Sequence, residues 1–248
     1  MNLIILAAGQ GKRLYPLTKD TPKSLLDLGG GTTLLDRQLE NAIASHTLHK
    51  VYVITGYLTE QLEAKLETYR DQAEIEVVYN PYYDVSNNLL SLWCAHYLML
   101  EEDFLVSNGD NIYKSHVYDQ VLAGNHEAIQ LTIDHKDHYD GDDMKVRIDA
   151  QRNILHVSKK IDTSEAQAES VGLVMVRGAA MRARFREKLL QMVKYPQSRD
   201  AFWLEIFNAL VMDGHEVTTC EINHDDWGEV DFHPDIEAMR KAVFNRVF

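Results

Sequence analysis

The residues best suited to chemistry lie in a loop over residues 9–23, directly after a short apolar run at residues 3–6. Gly9 and Gly11 allow its backbone to take positive φ and to approach a ligand without a side-chain clash. Against the single acid Asp20, the loop carries four basic residues: Lys12, Arg13, Lys19 and Lys23. The resulting local charge of +3, inside a chain with a formal net charge of −13, predicts a binding site for a polyphosphate anion.

Two common phosphate-binding motifs do not fit this loop. A P-loop needs four residues between its glycines and then Gly-Lys-Ser/Thr, and a dinucleotide fingerprint needs a third glycine near Leu14. A solvated, charged connection therefore stays open as an interpretation of the composition alone. The complete pattern, with Pro16 and the pair Pro22-Lys23, favours the anion site.

The elements around the loop predict that it lies at the edge of a sheet. Apolar runs predict strands at 3–6, 51–54, 75–79 and 104–106. Amphipathic patterns predict helices from an N-cap at Thr33 to about Ser45, over 59–70 and over 88–100. This alternation is typical of a mostly parallel sheet, which binds ligands at the carboxyl ends of its strands.

The pattern changes after about residue 125. Strands without full helices between them are predicted at 128–134, 145–149, 154–159 and 170–176, which indicates an antiparallel excursion over the sheet's edge. Helices return at about 179–193, 201–212 and 234–245. Because there is no repeat and no clear linker, we expect one domain, over residues 1–248, with a smaller lobe.

Composition restricts the class of protein. The 248 residues are 45% hydrophobic and 25% charged, which is ordinary for a globular chain that forms its core without disulfides. An excess of 38 acidic over 25 basic residues argues against a non-specific nucleic-acid binder. Cys94 and Cys220 lack metal-ligand spacing, which fits a reducing cytoplasm. The apolar start at 2–8 is too short for a signal sequence, and no run approaches the ~20 residues of a membrane span.

The loop resembles the signature of nucleotidyltransferases that join a nucleoside monophosphate to a sugar phosphate or a small phosphorylated alcohol. Residues 9–13, GQGKR, and 22–23, PK, are similar to its G-x-G-x-R and P-K elements. Residues 87–92, NNLLSL, are similar to the corresponding segment of cytidylyltransferases that act on phosphocholine and 2-aminoethylphosphonate. The resemblance implies an α/β fold with a mostly parallel, Rossmann-like sheet flanked by helices (a GT-A-like nucleotidyltransferase fold) and a small antiparallel excursion. It also implies a nucleotide-binding part at about 1–125 and 215–248, and an acceptor-binding lobe at about 126–214.

The resemblance pairs two acids as ligands of Mg²⁺. Asp110 follows the fourth predicted strand, and Asp231 lies in the stretch GEVDFHPD. Carboxylate oxygens suit Mg²⁺, although a turn cap for Asp110 and a helix cap for Asp231 stay open as alternatives. The resemblance also assigns two catalytic cations: Arg13 would hold the departing β,γ-phosphates, and Lys23 would bridge the attacking group and the α-phosphate.

Nucleotide contacts are implied for several further residues. The resemblance implies that the backbone of Ala7, Ala8 and Gly9 contacts the base and ribose, with Gly11 and Lys12 in the same set. Asn88 and Ser91 are expected to help read the pyrimidine, with helix capping as the alternative. Tyr57 is either part of the base pocket or a half-buried core tyrosine.

The resemblance implies fewer residues for binding the acceptor substrate. A lysine of the antiparallel excursion would hold the acceptor's phosphate or phosphonate: Lys145 is the first choice and Lys160 the second, with a solvated lysine as the alternative. Aromatic residues that could face a cationic head group are Trp93, Trp203, Trp227 and Tyr139, and acids that could pair with an amine are Asp142, Asp143 and Glu205. His135 and His138 are expected to be exposed loop histidines, because no third ligand follows at metal-site spacing.

Together these features imply a Mg²⁺-dependent cytidylyltransferase. It would join CTP to a small phosphorylated or phosphonate head group, of the phosphocholine or 2-aminoethylphosphonate type, giving a CDP-linked or CMP-linked product and pyrophosphate. We expect CTP and that substrate as partners, no nucleic acid, no membrane span and a cytoplasmic location, with a homodimer left open. Two alternatives remain: a sugar-1-phosphate or inositol-1-phosphate nucleotidyltransferase, and an inactive nucleotide-sensing subunit.

Overall fold

The structure, a computed structural model, describes residues 1–124 and 126–244. The described residues form eleven strands and seven α-helices. The strands are β1 (Asn2–Leu6), β2 (Lys50–Thr55), β3 (Glu74–Tyr79), β4 (Phe104–Asn108), β5 (Asn111–Tyr113), β6 (Ala128–Asp134), β7 (Lys145–Ile148), β8 (Ile154–Ser158), β9 (Ala168–Arg177), β10 (Thr218–Glu221) and β11 (Trp227–Glu229). The helices are α1 (Leu34–Ala44), α2 (Thr59–Glu67), α3 (Asn88–Cys94), α4 (Ser115–Leu122), α5 (Ala179–Met192), α6 (Glu205–Met212) and α7 (His233–Phe244).

One large sheet organises the molecule. Its main path has the order β10-β6-β9-β4-β1-β2-β3. β1 pairs in parallel with both β2 and β4, β2 with β3, and β10 with β6, whereas β9 runs antiparallel to its neighbours β4 and β6. The prediction of a mostly parallel sheet flanked by helices is therefore confirmed.

The four strands predicted as an excursion over the sheet's edge do not stay together. Only β7 and β8 form a small antiparallel extension, which joins the sheet where β7 meets the start of β9. β6 and β9 lie inside the main sheet, so the expectation was wrong for these two strands. β9 is buried over almost its whole length, as a strand must be when helices cover both faces of the sheet.

Several helix boundaries differ from the prediction. α3 ends at Cys94 because the following N–H groups donate to carbonyls only three residues back, and a separate 3-10 turn occupies Leu98–Leu100. α2 ends at Glu67. α6 begins only at Glu205, because the Trp203 N–H before it donates to Asn88 Oδ1, outside the helix (2.8 Å). The predicted end of α7 at 245 lies outside the described residues.

Thr33 is the N-cap of α1, as predicted, and it forms a capping box with Asp36. The Thr33 Oγ1 accepts from the Asp36 N–H (3.2 Å), and Asp36 Oδ2 accepts from the Thr33 N–H (2.7 Å). The same carboxylate accepts from the Tyr69 hydroxyl (2.6 Å) and pairs with Lys65 (2.7 Å). Burial raises the pKa of Asp36, but these hydrogen bonds outweigh burial and hold the pKa below its ordinary value.

Apolar side chains cover both faces of the sheet. In β1, Ile4 and Leu6 belong to one buried cluster, while Leu3 and Ile5 belong to the cluster on the other face. Each such side chain contributes roughly 1.5–3 kcal/mol on burial. This packing holds the carboxyl ends of β1 and β4 side by side. None of the helices in the described part of the chain is long and apolar enough to span a bilayer.

A third apolar cluster joins the first loop to the C-terminal segment. Leu14 and Leu28 pack there with Val230, Ile236 and Met239, all almost fully buried. Val230 also donates its N–H to the Asp110 carbonyl (3.0 Å). The cluster therefore brings segments from opposite ends of the chain to the same edge of the sheet.

Candidate active site

A cleft of about 510 Å³ opens at the carboxyl ends of β1 and β4. Its walls come from the first loop, from the start of α3, from the turn after β4 and from the end of β11. The turn after β4 requires glycine at position 109, because a Cβ there would lie 2.4 Å from the Leu6 carbonyl oxygen. This close approach sets the turn directly beside the first loop.

The catalytic cations and metal-site acids inferred from the sequence meet in this cleft. Lys23 Nζ lies 2.7 Å from Asp110 Oδ2 and 2.7 Å from Asp231 Oδ1. Arg13 Nη1 lies 2.7 Å from Asp231 Oδ2. Both oxygens of Asp231 thus face cations. At the start of α7, the carboxylate that accepts from the backbone N–H groups of residues 231 and 232 is that of Asp235.

Glu229 adds a third carboxylate that the sequence prediction missed. It lies two residues before Asp231 at the end of β11, and two residues is the spacing that places side chains on the same face of an extended segment. That spacing was the available signal. Oxygens of Asp110, Glu229 and Asp231 all lie within 4.8 Å of one another. Three hard oxygen donors at this distance fit a divalent cation such as Mg²⁺.

The charges of these groups are strongly coupled. Burial lowers the pKa of Lys23, but the carboxylates of Asp110 and Asp231 outweigh burial, so the net shift is upward and the ammonium stays protonated. Burial raises the pKa of Asp231, but Lys23 and Arg13 outweigh burial and leave it below its ordinary value. Burial, together with the charges of Asp110 and Asp231, raises the pKa of Glu229 to about 8.

The first loop lines one wall of the cleft with backbone and cations. The lining includes the residues inferred here, namely Ala7 and Ala8 just before the loop, and Gly9, Gly11, Lys12 and Arg13 within it. Gly11 has φ +62, and a Cβ on it would lie 3.0 Å from the Lys23 Cβ, so glycine allows the loop to fold against Lys23. Gly9 faces open space, which leaves the backbone accessible.

Asn88 and Ser91 both line the cleft from α3. The N-cap of α3 is Asn87, whose Oδ1 accepts from the Asn88 N–H (2.8 Å), so capping is not the role of Asn88. Ser91 Oγ accepts from the buried Asn80 Nδ2 (3.0 Å). Tyr57 does not line the cleft, and its hydroxyl donates to the Lys19 carbonyl.

Neither lysine inferred for the acceptor lies on the cleft. Lys145 is 1% exposed, and its Nζ donates to the carbonyls of Asp140 (3.0 Å), Gly141 (3.3 Å) and Asp143 (3.3 Å). Its ammonium is thus committed to the backbone of the loop before β7. Lys160 is exposed and does not line the cleft. Of the lysines near the β7–β8 hairpin, the one that lines the cleft is Lys159, whose Nζ lies 5.6 Å from the centre of the Phe202 ring.

The aromatic candidates have separate positions. Trp203 lines the cleft, and its Nε1 donates to Asn108 Oδ1 (2.9 Å). Trp227 is buried and donates to Asp134 (2.9 Å), while Trp93 stacks on His96. Trp93 and Trp227 do not line the cleft. Tyr139 also lies outside the lining, and its hydroxyl accepts from the Lys136 N–H (3.3 Å).

The acidic candidates are divided in the same way. Asp142 lines the cleft, 3.8 Å from Arg13 Nη1. Asp143 pairs with Lys136 (3.3 Å), and Glu205 accepts from a backbone N–H at the start of α6. The cleft also contains Glu169, which the prediction missed; burial raises its pKa to about 7 although Lys136 pairs with it.

His135 is exposed, as expected, and contacts the Gln167 carbonyl (2.7 Å) and Glu221 (3.0 Å). His138 is also exposed.

Comparison with known proteins defines the class. Residues 2–142 match the nucleotidyl transferase family, and because this match covers more than half of the chain, the protein belongs to that family of enzymes. The chain is similar to CTP:phosphoglutamine cytidylyltransferase of Campylobacter jejuni, with 27% identity over 96% of this chain and 99% of that protein. It is also similar to 2-aminoethylphosphonate cytidylyltransferase of Lancefieldella rimae, with 37% identity over 38% of this chain and 36% of that protein.

Solved structures share the fold. The CTP:phosphocholine cytidylyltransferase of Streptococcus pneumoniae has a TM-score of 0.78 and 19% identity, covering 98% of both chains. The inositol-1-phosphate CTP transferase of T. maritima has a TM-score of 0.78 and 20% identity, covering 97% of this chain and 95% of that one. The resemblance inferred from the first loop and from residues 87–92 is thereby confirmed at the level of family and fold.

Proposed function

We propose that this protein is a Mg²⁺-dependent cytidylyltransferase that joins CTP to a small phosphorylated or phosphonate substrate and releases pyrophosphate. The observation that carries the proposal is the meeting of Lys23 and Arg13 with Asp110 and Asp231 at 2.7 Å, beside a glycine-bearing loop. Relatives that align with this chain are named as cytidylyltransferases, which supports CTP as the nucleotide. The nucleotide-binding part is assigned to about 1–125 and 215–248, and the acceptor lobe to about 126–214.

The reaction brings two anions together. An oxygen of the acceptor's phosphate or phosphonate attacks the α-phosphorus of CTP, that new P–O bond forms, and the bond to the leaving pyrophosphate breaks. No side-chain nucleophile is needed, because positioning and charge neutralisation provide most of the rate enhancement in such transfers. A cleft that concentrates cations and carboxylates at one point suits this requirement.

The chain's own residues divide the work. Asp110, Glu229 and Asp231 would hold Mg²⁺, which when bound supplies charge neutralisation at the α-phosphate. Arg13 would exchange its carboxylate partner for the β,γ-phosphates, whose oxygens match its fork of donors. Lys23 would carry its positive charge to the α-phosphate and the attacking oxygen.

We assign the acceptor's anionic group to Lys159. It is the lysine of the acceptor lobe that lines the cleft, whereas Lys145 is committed to backbone carbonyls. The cleft lining also includes Asp142, Glu169 and the aromatic residues Phe202 and Trp203, of which Phe202 lies beside Lys159. Acids and aromatic faces together suit a substrate with a cationic end.

A pyrophosphate-release panel tests the function. It crosses CTP, UTP, ATP and dTTP with phosphocholine, phosphoethanolamine, 2-aminoethylphosphonate, phosphoglutamine, inositol phosphate and hexose 1-phosphates. Release that depends on CTP, on Mg²⁺ and on a zwitterionic acceptor is the expected result. Release with a hexose or inositol phosphate alone would support the sugar-phosphate alternative, and no release with any pair would support a nucleotide-sensing subunit.

A further inference from the structure

A buried asparagine outside the cleft donates a hydrogen bond to a side chain inside it. Asn80 follows β3, is 0% exposed, and donates its backbone N–H to the Thr55 carbonyl at the end of β2 (2.8 Å). Its side chain reaches in two directions: Oδ1 accepts from the Tyr82 N–H (2.8 Å), and Nδ2 donates to Ser91 Oγ (3.0 Å). Asn80 thus ties together the loop after β3 and the cleft-facing helix α3.

The orientation of the Asn80 amide follows from its partners. The Tyr82 N–H can only donate, so the amide atom that faces it must be the oxygen. The other amide atom is then the nitrogen, which can only donate to Ser91 Oγ. Swapping the two atoms would set two donors against each other at Tyr82, and the full burial of Asn80 makes such a mismatch costly.

This orientation determines what Ser91 offers to a ligand. A hydroxyl has one proton, and Ser91 Oγ already accepts from Asn80. A helical serine can return its proton to a carbonyl one turn back, but no hydrogen bond among residues 1–124 and 126–244 uses the Ser91 proton in this way. Since Ser91 lines the cleft, its hydroxyl is available there as a donor.

The loops that follow the first three strands pack closely against one another. A Cβ at Gly56 would lie 2.5 Å from the Tyr83 Cβ and 2.8 Å from the Ala8 carbonyl oxygen, and the Tyr57 N–H donates to that same carbonyl (3.1 Å). The loops after β1, β2 and β3 therefore contact one another on the side of the cleft that Asn80 supports. A ring bound there would meet polar groups of fixed direction.

We propose that Asn80 is a positioning residue that holds Ser91 as a hydrogen-bond donor and so contributes to the selection of cytosine over uracil. The inference rests on the proposed function and deepens it. Cytosine presents adjacent acceptors at O2 and N3, whereas N3 of uracil carries a proton. A donor directed at this edge favours cytosine. With uracil, the N3–H and the Ser91 hydroxyl would be two donors facing each other, and neither would have an acceptor.

Isothermal titration of CTP and UTP with Mg²⁺ tests the inference without requiring turnover. Asn80→Asp keeps the shape and the acceptor for the Tyr82 N–H, but its second oxygen accepts the Ser91 proton and turns it away from the cleft. We expect the ratio of the UTP to the CTP dissociation constant to fall about tenfold, mainly through weaker CTP binding. Ser91→Ala should lower the same ratio, and the double variant should lower it no further.

Controls separate positioning from general damage. Asn41 is half-buried on α1 and donates to the Tyr113 carbonyl (2.9 Å), so Asn41→Asp should cost stability without changing the ratio. If Asn80→Asp does not fold, Asn80→Ala removes the same donor and should lower the ratio as well. Equal weakening of CTP and UTP in the Asn80 variants would overturn the inference alone, whereas failure of the wild type to bind CTP would overturn the proposed function with it.

Discussion

Replacing Lys23 by alanine would expose the competition between a lysine and a metal ion for the same oxygens. The Lys23 ammonium lies 2.7 Å from oxygens of both Asp110 and Asp231, in the space between two of the three carboxylates that would hold Mg²⁺. In Lys23→Ala these carboxylates and Glu229 would face one another without that cation. The variant should therefore depend on Mg²⁺ for stability more than the wild type does.

The size of the effect follows from the geometry. Removing one partner of a buried ion pair costs about 3–5 kcal/mol. The Lys23 side chain is 13% exposed, so we expect Lys23→Ala to lower the free energy of unfolding by about 3 kcal/mol in EDTA. Saturating Mg²⁺ should restore about half of this loss. Without the ammonium as a competitor, Mg²⁺ should bind the variant about tenfold more tightly, or about 1.4 kcal/mol.

Urea denaturation in EDTA and in Mg²⁺, with a Mg²⁺ titration followed by melting temperature, measures both effects. Lys19→Ala is the matched control, because Lys19 is an exposed cation of the same loop that does not line the cleft. Turnover of Lys23→Ala should fall by about 10²–10³-fold even in saturating Mg²⁺. Equal stabilisation of wild type and variant by Mg²⁺ would refute the shared-oxygen geometry, and unchanged turnover would remove Lys23 from the mechanism.

Three further substitutions test individual assignments. Lys159→Ala should raise the acceptor KM about 10–100-fold with little change in the CTP KM; a larger effect from the exposed Lys160→Ala would contradict the choice of lysine. Lys145→Met should leave the acceptor KM unchanged but lower the free energy of unfolding by about 1–3 kcal/mol in urea, because it removes the buried ammonium that donates to three backbone carbonyls. The pKa of Asp36 lies below its usual 3.8, so its carboxylate stabilises the fold above that pH and loses this effect as the pH falls through the lower folded value. The difference in melting temperature between wild type and Asp36→Asn should accordingly shrink between about pH 6 and about pH 3, and a constant difference would exclude a charged Asp36 as its cause.

Local patterns were sufficient for much of the fold. The buried strands β1, β2 and β4 and the more exposed β3 all contain apolar runs that predict them. Thr33 caps α1 through a neighbour only three residues away. β5, β10 and β11 are three or four residues long, which is too short for a periodic signal. The place of β9 between β4 and β6 depends on pairings between distant segments, which periodicity does not record.

The same distinction between local patterns and distant contacts holds for the candidate site. Arg13, Lys23, Asp110 and Asp231 belong to recognisable short motifs, and the structure brings them together. The choice of an acceptor lysine depends instead on how the β7–β8 hairpin meets β9, and a single residue of register separates a cleft-facing lysine such as Lys159 from an exposed one. Sequence patterns describe the strand but not the direction of a side chain just beyond its end.

The third apolar cluster, which packs Leu14 against Val230 and Ile236, has a consequence for how activity is gained and lost. Arg13 and Asp231 are 218 positions apart, so Arg13 gains this counter-ion only after α7 has docked. During synthesis, the sheet can assemble before the protein is competent to act. On heating, release of α7 alone would withdraw Asp231 and silence the enzyme while the strands behind it stay folded.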